Sequence, residues 1–136
     1  MFAYARGVKI YNMELLFVYG TLKKGFYNHF YLEKSKYLGR AKTLNKYALY
    51  LKGFIPFVTK SPKVCQIKGE LYLVDDKTLS EVDLLEGHPD EYFREKVPIV
   101  KEDGEVVEAW MYFYPQTKEP GILISTGEYT HKLLKH

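Results

Sequence analysis

Apolar and polar positions divide this chain into short, strand-like runs punctuated by glycine and proline. ELLFVY (14–19) reads as a first strand, its last four residues, LFVY, being apolar or aromatic as in a buried strand. Gly20 and Thr21 end that run, and a turn, Gly-Thr-Leu-Lys-Lys-Gly, follows. Aromatic residues at 26, 27, 30 and 31 fall at helical spacing, so the pattern predicts a short helix over 26–34. KYLGRAKTL (36–44) and KYALYL (46–51) alternate as two strands, and a loop is expected around Pro56 and Pro62. VCQIKGELYLV (64–74) reads as a longer strand with Gly69 as a bulge.

Helical signals come next. Asp76 is the expected N-cap, Leu79, Val82 and Leu85 recur at intervals of three, and Gly87 with Pro89 marks the stop. YFREKVPIV (92–100) and VVEAWMYFYP (106–115) alternate as strands about a hairpin turn at Asp103-Gly104. Residues 121–136 read as loop with one final turn. About six strands and two short helices make an α+β chain, too rich in strands for a doubly wound sheet, and a small mixed β-barrel flanked by short helices fits best.

Composition narrows the functional classes. With 136 residues and 46% hydrophobic content the chain suits one domain with a real core. Its net charge is only +3, which gives no pull toward nucleic acid or a membrane surface, and neither partner is expected. No apolar run has the length of a membrane-spanning helix. The single cysteine, Cys65, cannot form an internal disulfide, so a cytoplasmic location is expected, with Cys65 a buried inert thiol. Residues 1–12 read as a loose N-terminal extension, and residues 13–136 as the domain, beginning at Met13. Thirteen tyrosines exceed ordinary core needs and suggest a tyrosine-lined pocket.

Several chemistries fail on spacing. Phe26, rather than lysine, follows Gly25, so the phosphate-binding loop motif is absent, and so is the dinucleotide fingerprint. His29, His88, His131 and His136 show no metal-ligand spacing, and no metal or cofactor is expected. Lys23 and Lys24 read as a solvated pair. Within the acidic stretch 79–96, Glu86 stands apart because it ends a helix, where the dipole disfavours a charged carboxylate and raises its pKa toward the range proton transfer needs. The same residue also fits a solvated helix end.

YGTLKKG (19–25), DLLEGHP (83–89) and YFR (92–94), in that order and at that separation, resemble the γ-glutamylcyclotransferase-like family, especially its γ-glutamylamine cyclotransferase and AIG2-like branch. That resemblance runs from Met13 to about Tyr129 and implies a small β-barrel with packed helices. It implies a reaction in which the substrate's own α-amino group attacks its γ-carbonyl to give 5-oxoproline and a free amine, with no cofactor. It further implies that Glu86 carries protons and that Tyr19, Gly20, Thr21 and Leu22 cradle a small-molecule γ-glutamyl substrate. Tyr92 is the matching pocket tyrosine and Tyr114 a weaker pocket candidate, while Arg94 is expected to form a structural salt bridge. A binding module of the same fold without turnover is the alternative. ISTGEYT (124–130) matches the family's ending only loosely.

Overall fold

Strand β3 (Met13–Val18) shows why the first apolar run lacks alternation. Phe17 points into one hydrophobic core and Leu16 and Val18 into another, so both faces of the strand are covered. The computed structural model describes residues 2–5, 8–116 and 121–134. Ahead of β3, β1 (Phe2–Ala5) and β2 (Val8–Tyr11) pair as an antiparallel hairpin in a sheet of their own, where a loose extension was expected. Residues 1, 6 and 7 of that extension lie outside the described residues.

Five strands close the barrel. β4 (Lys36–Lys52) pairs with β6 (Cys65–Asp75), β6 with β3, β3 with β8 (Val106–Phe113), β8 with β7 (Phe93–Lys101), and β7 returns to β4. The β3–β8 pairing is parallel and the other four are antiparallel, so the barrel is mixed, as the strand pattern predicts. The two strands expected over 36–51 are one long strand. Register shifts against β6 between Tyr37 and Gly39 and between Lys42 and Lys46 bend it, which lets one segment serve both barrel and rim. Its outer half pairs with β5 (Ile55–Thr59) and β9 (Ile122–Leu123). Pro56, expected in a loop, sits within β5, a strand at the end of the sheet order where a missing N–H is tolerated.

Gly69 is not at a bulge. A Cβ there would lie 2.2 Å from the Val18 carbonyl oxygen and 2.9 Å from Phe17 Cζ. The bare glycine is what allows the Phe17 ring to fill the barrel beside Ile67 and Leu71.

Helix α1 (Asp76–Glu86) packs Leu79 and Val82 against Leu16, Tyr72 and Val74 on the outer face of the barrel. Its N-cap is Asp75, one residue before the expected Asp76, with Oδ1 accepting a 2.7 Å hydrogen bond from the Thr78 amide. At the other end Gly87 is left-handed, with φ 69°. The His88 amide donates to the Asp83 carbonyl and the Gly87 amide to the Leu84 carbonyl, a Schellman closure. The helix expected over 26–34 reduces to a single 3-10 turn, His29–Leu32. Phe26 leaves the helical stripe to stack on His131, while Tyr27 and Phe30 face solvent, so no continuous apolar face remains to hold a longer helix. A second 3-10 turn, His131–Leu134, supplies the final turn expected of the tail.

Candidate active site

Where β3 leaves the barrel, the chain turns over Tyr19–Leu22. The Lys23 amide donates to the Gly20 carbonyl, and the Asn28 amide to the Thr21 carbonyl. Asn28 Nδ2 also donates to Thr21 Oγ1 at 3.0 Å, so backbone and side chain fix the same turn. Gly20 is required by a close approach: a Cβ would meet Pro56 Cγ at 2.8 Å. The crowding comes from Pro56, which packs directly against Gly20. Among the described residues, the amides of Gly20, Thr21 and Leu22 donate to no group of the chain.

Of the two lysines expected to be a solvated pair, Lys24 is exposed and Lys23 is not. Lys23 is buried, with its Nζ donating to the Tyr129 carbonyl and lying 5.1 Å from the Phe26 ring centre. Burial pushes its pKa down. Lys24 lays its ammonium 3.6 Å from the Tyr37 ring centre.

This turn and the C-terminal end of α1 both line one cavity of about 220 Å³. Tyr19, Gly20, Thr21, Leu22, Tyr92 and Glu86 all line it, so the structure brings six of the seven expected site residues together. Tyr114 does not line it. Its ring stands edge-on behind Tyr92, 5.3 Å between centres, and packs on Phe57. Tyr19 donates its hydroxyl to the Tyr112 carbonyl at 2.9 Å, and Tyr92 donates to the Pro56 carbonyl at 3.2 Å. With their protons committed to the protein, the Tyr92 oxygen keeps its lone pairs to offer a donor, while the Tyr19 oxygen also accepts from the Val58 backbone and keeps one.

Glu86 is the perturbed acid. Burial, reinforced by the negative charge of Glu91, pushes its pKa up to about 7. Helix-end placement led the sequence to this residue, but desolvation against the cavity wall is the larger cause. The tyrosines of the wall stay neutral, since burial raises Tyr19, Tyr92 and Tyr112 further above their ordinary range.

Behind Glu86 lies a buttress that sequence reasoning only half found. Arg94 donates from Nε to Asp83 Oδ1 at 2.8 Å and from its second terminal nitrogen to Oδ2 at 3.1 Å, the structural salt bridge expected. Tyr112, which was not foreseen, donates its hydroxyl to the same carboxylate. Burial alone would raise the Asp83 pKa, but hydrogen bonds from Arg94 and Tyr112 outweigh it and hold the carboxyl below its usual range. Asp83 is therefore fixed as an anion, unsuited to carrying protons. Alternation from Ala109, Met111 and Phe113 placed Tyr112 on the outer face of β8, and only the fold shows that α1 covers it there.

The histidines are dispersed. His29 Nδ1 pairs with the Leu22 carbonyl at 2.9 Å, His88 Nδ1 accepts from the Arg94 amide, and His131 stacks on Phe26. His136 lies outside the described residues. Cys65 is partly exposed instead of fully buried, and desolvation raises its thiol pKa, which leaves it unreactive.

The sequence and the fold both have known relatives. Residues 16–131 match the family described as Gamma-glutamyl cyclotransferase, AIG2-like. The chain belongs to that family. Among members of the AIG2-like family, a protein of Methanocaldococcus jannaschii named "Putative gamma-glutamylcyclotransferase" is 52% identical over 118 residues, spanning 86% of this chain and 96% of that protein. Gamma-glutamylaminecyclotransferase B of Danio rerio is 39% identical over 116 residues, 78% of this chain and 61% of that one. The crystal structure of an AIG2-like protein from Mus musculus superposes with a TM-score of 0.79 at 29% identity, covering 88% of this chain and 89% of that chain.

Proposed function

We propose that this chain converts a γ-glutamyl amine or γ-glutamyl amino acid to 5-oxoproline and a free amine. The observation that carries the reading is Glu86, its pKa near 7, lining one small cavity with the unpartnered amides of Gly20–Leu22. Family membership and the names of the relatives support the same reaction class.

The substrate brings its own nucleophile, so the protein supplies geometry and proton handling. Glu86 takes a proton from the α-ammonium, whose freed lone pair attacks the γ-carbonyl carbon. A carbon–nitrogen bond closes the five-membered ring, and the bond to the leaving nitrogen breaks. Of the three ammonium protons, one stays on the lactam nitrogen and two finish on the departing amine, and no water is consumed. A carboxyl half-ionised near neutrality serves both the uptake and the delivery. The Gly20–Leu22 amides hold the α-carboxylate or the developing oxyanion. The hydroxyl oxygens of Tyr19 and Tyr92 accept from the ammonium. Fixing the cyclising conformer supplies a large share of the rate, up to about 7–11 kcal/mol in well-oriented systems.

The test is release of 5-oxoproline from γ-glutamylamines, γ-glutamyl amino acids and glutathione. Product from at least one class is expected. Tight calorimetric binding without product would make the chain a binding module, and neither binding nor product would remove the γ-glutamyl reading.

A further inference from the structure

The cavity is acidic within a chain that is basic overall. Glu86 and Glu91 both line it, and among the described residues no lysine, arginine or histidine does. The cations nearest in sequence are committed elsewhere, Lys23 to the Tyr129 carbonyl and Arg94 to Asp83. A γ-glutamyl head carries one ammonium and one carboxylate. Glu86 answers the ammonium and the free amides answer the carboxylate, which leaves Glu91 with no counterpart on the head.

Position says what Glu91 faces. It is an exposed residue of the turn that follows α1, and its side chain lies over Gly87, whose added Cβ would meet Glu91 Cβ, Cγ and Cδ at 3.0–3.2 Å. Glu91 therefore stands one glycine beyond the proton carrier, at the mouth of the cavity. Tyr27 and Ile55, exposed and apolar, supply other parts of that mouth. Among the described residues no ion pair occupies Glu91.

We propose that Glu91 is a specificity-determining residue that selects leaving amines bearing a second positive charge on a short alkyl chain. The inference rests on the cyclotransferase reading of the site. A diamine conjugate runs its methylenes along Tyr27 and Ile55 and presents its free ammonium to Glu91. An α-amino-acid conjugate instead brings a carboxylate next to the scissile nitrogen, against two acidic side chains and no cation. Glu91 also faces Glu86 electrostatically, together with Tyr19, Tyr92 and Tyr112, which stay neutral. Removing its charge therefore moves Glu86 toward a lower pKa.

The experiment compares kcat/KM for γ-glutamyl conjugates of a four-carbon diamine, the matching monoamine and alanine, in wild type and Glu91→Gln. Wild type should prefer diamine over monoamine and monoamine over alanine, each by about two- to fivefold, the scale of a solvent-screened ion pair. Glu91→Gln should erase the diamine-over-monoamine step, and the acidic limb of its pH profile should move to lower pH. Glu91→Lys should invert the order in favour of alanine. Equal turnover of all three by wild type, or an undiminished diamine preference in Glu91→Gln with a normal melting curve, overturns the proposal. If wild type turns over none, the reaction reading fails. Calorimetry with non-turned-over diamine and monoamine conjugates then decides the charge preference, which a wild type binding both equally would refute.

Discussion

Replacing Glu86 with glutamine should make the protein more stable and less active, with the stability gain confined to one pH range. In the folded chain the Glu86 pKa rises from 4.5 to about 7. Its charged form is therefore costly in the fold by a ceiling of about 3 kcal/mol, at about 1.4 kcal/mol per pH unit. Glu86 borders an open cavity, so solvent screening reduces this to roughly 1–2 kcal/mol. The sign follows from proton binding. Between pH 4.5 and 7 the folded state holds a proton that the unfolded chain has released, so wild-type stability falls as pH rises through that window. Glutamine does not ionise. The variant and wild type should match near pH 4, and the variant should lead by roughly 1–2 kcal/mol at pH 8.5, or about 4–8 °C in melting temperature. Denaturant unfolding at a series of pH values measures the gap, and 5-oxoproline release by the same preparations should fall by about 10²–10⁴-fold. A gap that does not change with pH would refute the burial argument, and near-normal turnover would place the base elsewhere.

Gly69→Ala should cost about 3 kcal/mol or more, because the new methyl meets the Val18 carbonyl at 2.2 Å and backbone cannot step aside cheaply; thermal melts would show it. Gly20→Ala forces the cradle and Pro56 apart, so KM for a γ-glutamyl substrate should rise several-fold with little change in melting temperature. Asp83→Asn leaves Arg94 partly buried without its anion, a loss of about 2–3 kcal/mol near neutrality. Since the folded Asp83 pKa is lowered, its stabilisation is present above the unfolded carboxylate range and disappears as pH falls through the folded pKa. The Asp83→Asn deficit measured by denaturant unfolding should therefore shrink at acid pH.

Local signals carried much of this structure. Asp75-Asp76 and Gly87 bracket α1 to within a residue, since capping is short-range chemistry, and the Gly20-Thr21 break located the turn that lines the cavity. The unity of β4 was not legible, because the break around Asn45 looks like a strand end and becomes a bulge only when β6 is laid beside it. Lys23 misled for a related reason: a lysine after a turn looks solvated, and the carbonyl that holds it belongs to Tyr129, more than a hundred residues away. The same distance hid the Tyr112 contribution to Asp83. Glu86 was found through the helix dipole, although desolvation dominates, and burial of that kind exists only once the barrel has closed.

The cavity has a floor and a rim built from different material. Phe17, Val18, Leu22 and Tyr112 serve the floor while also filling the hydrophobic cores, whereas Tyr27 and Glu91 stand on exposed turns and Ile55 at the exposed start of β5. A floor mutation is therefore felt twice, in folding and in ring closure, while a rim mutation is felt almost only in which amine departs. Over generations the range of amines accepted can drift with little resistance, while the cyclising chemistry beneath it is held in place by the demands of folding.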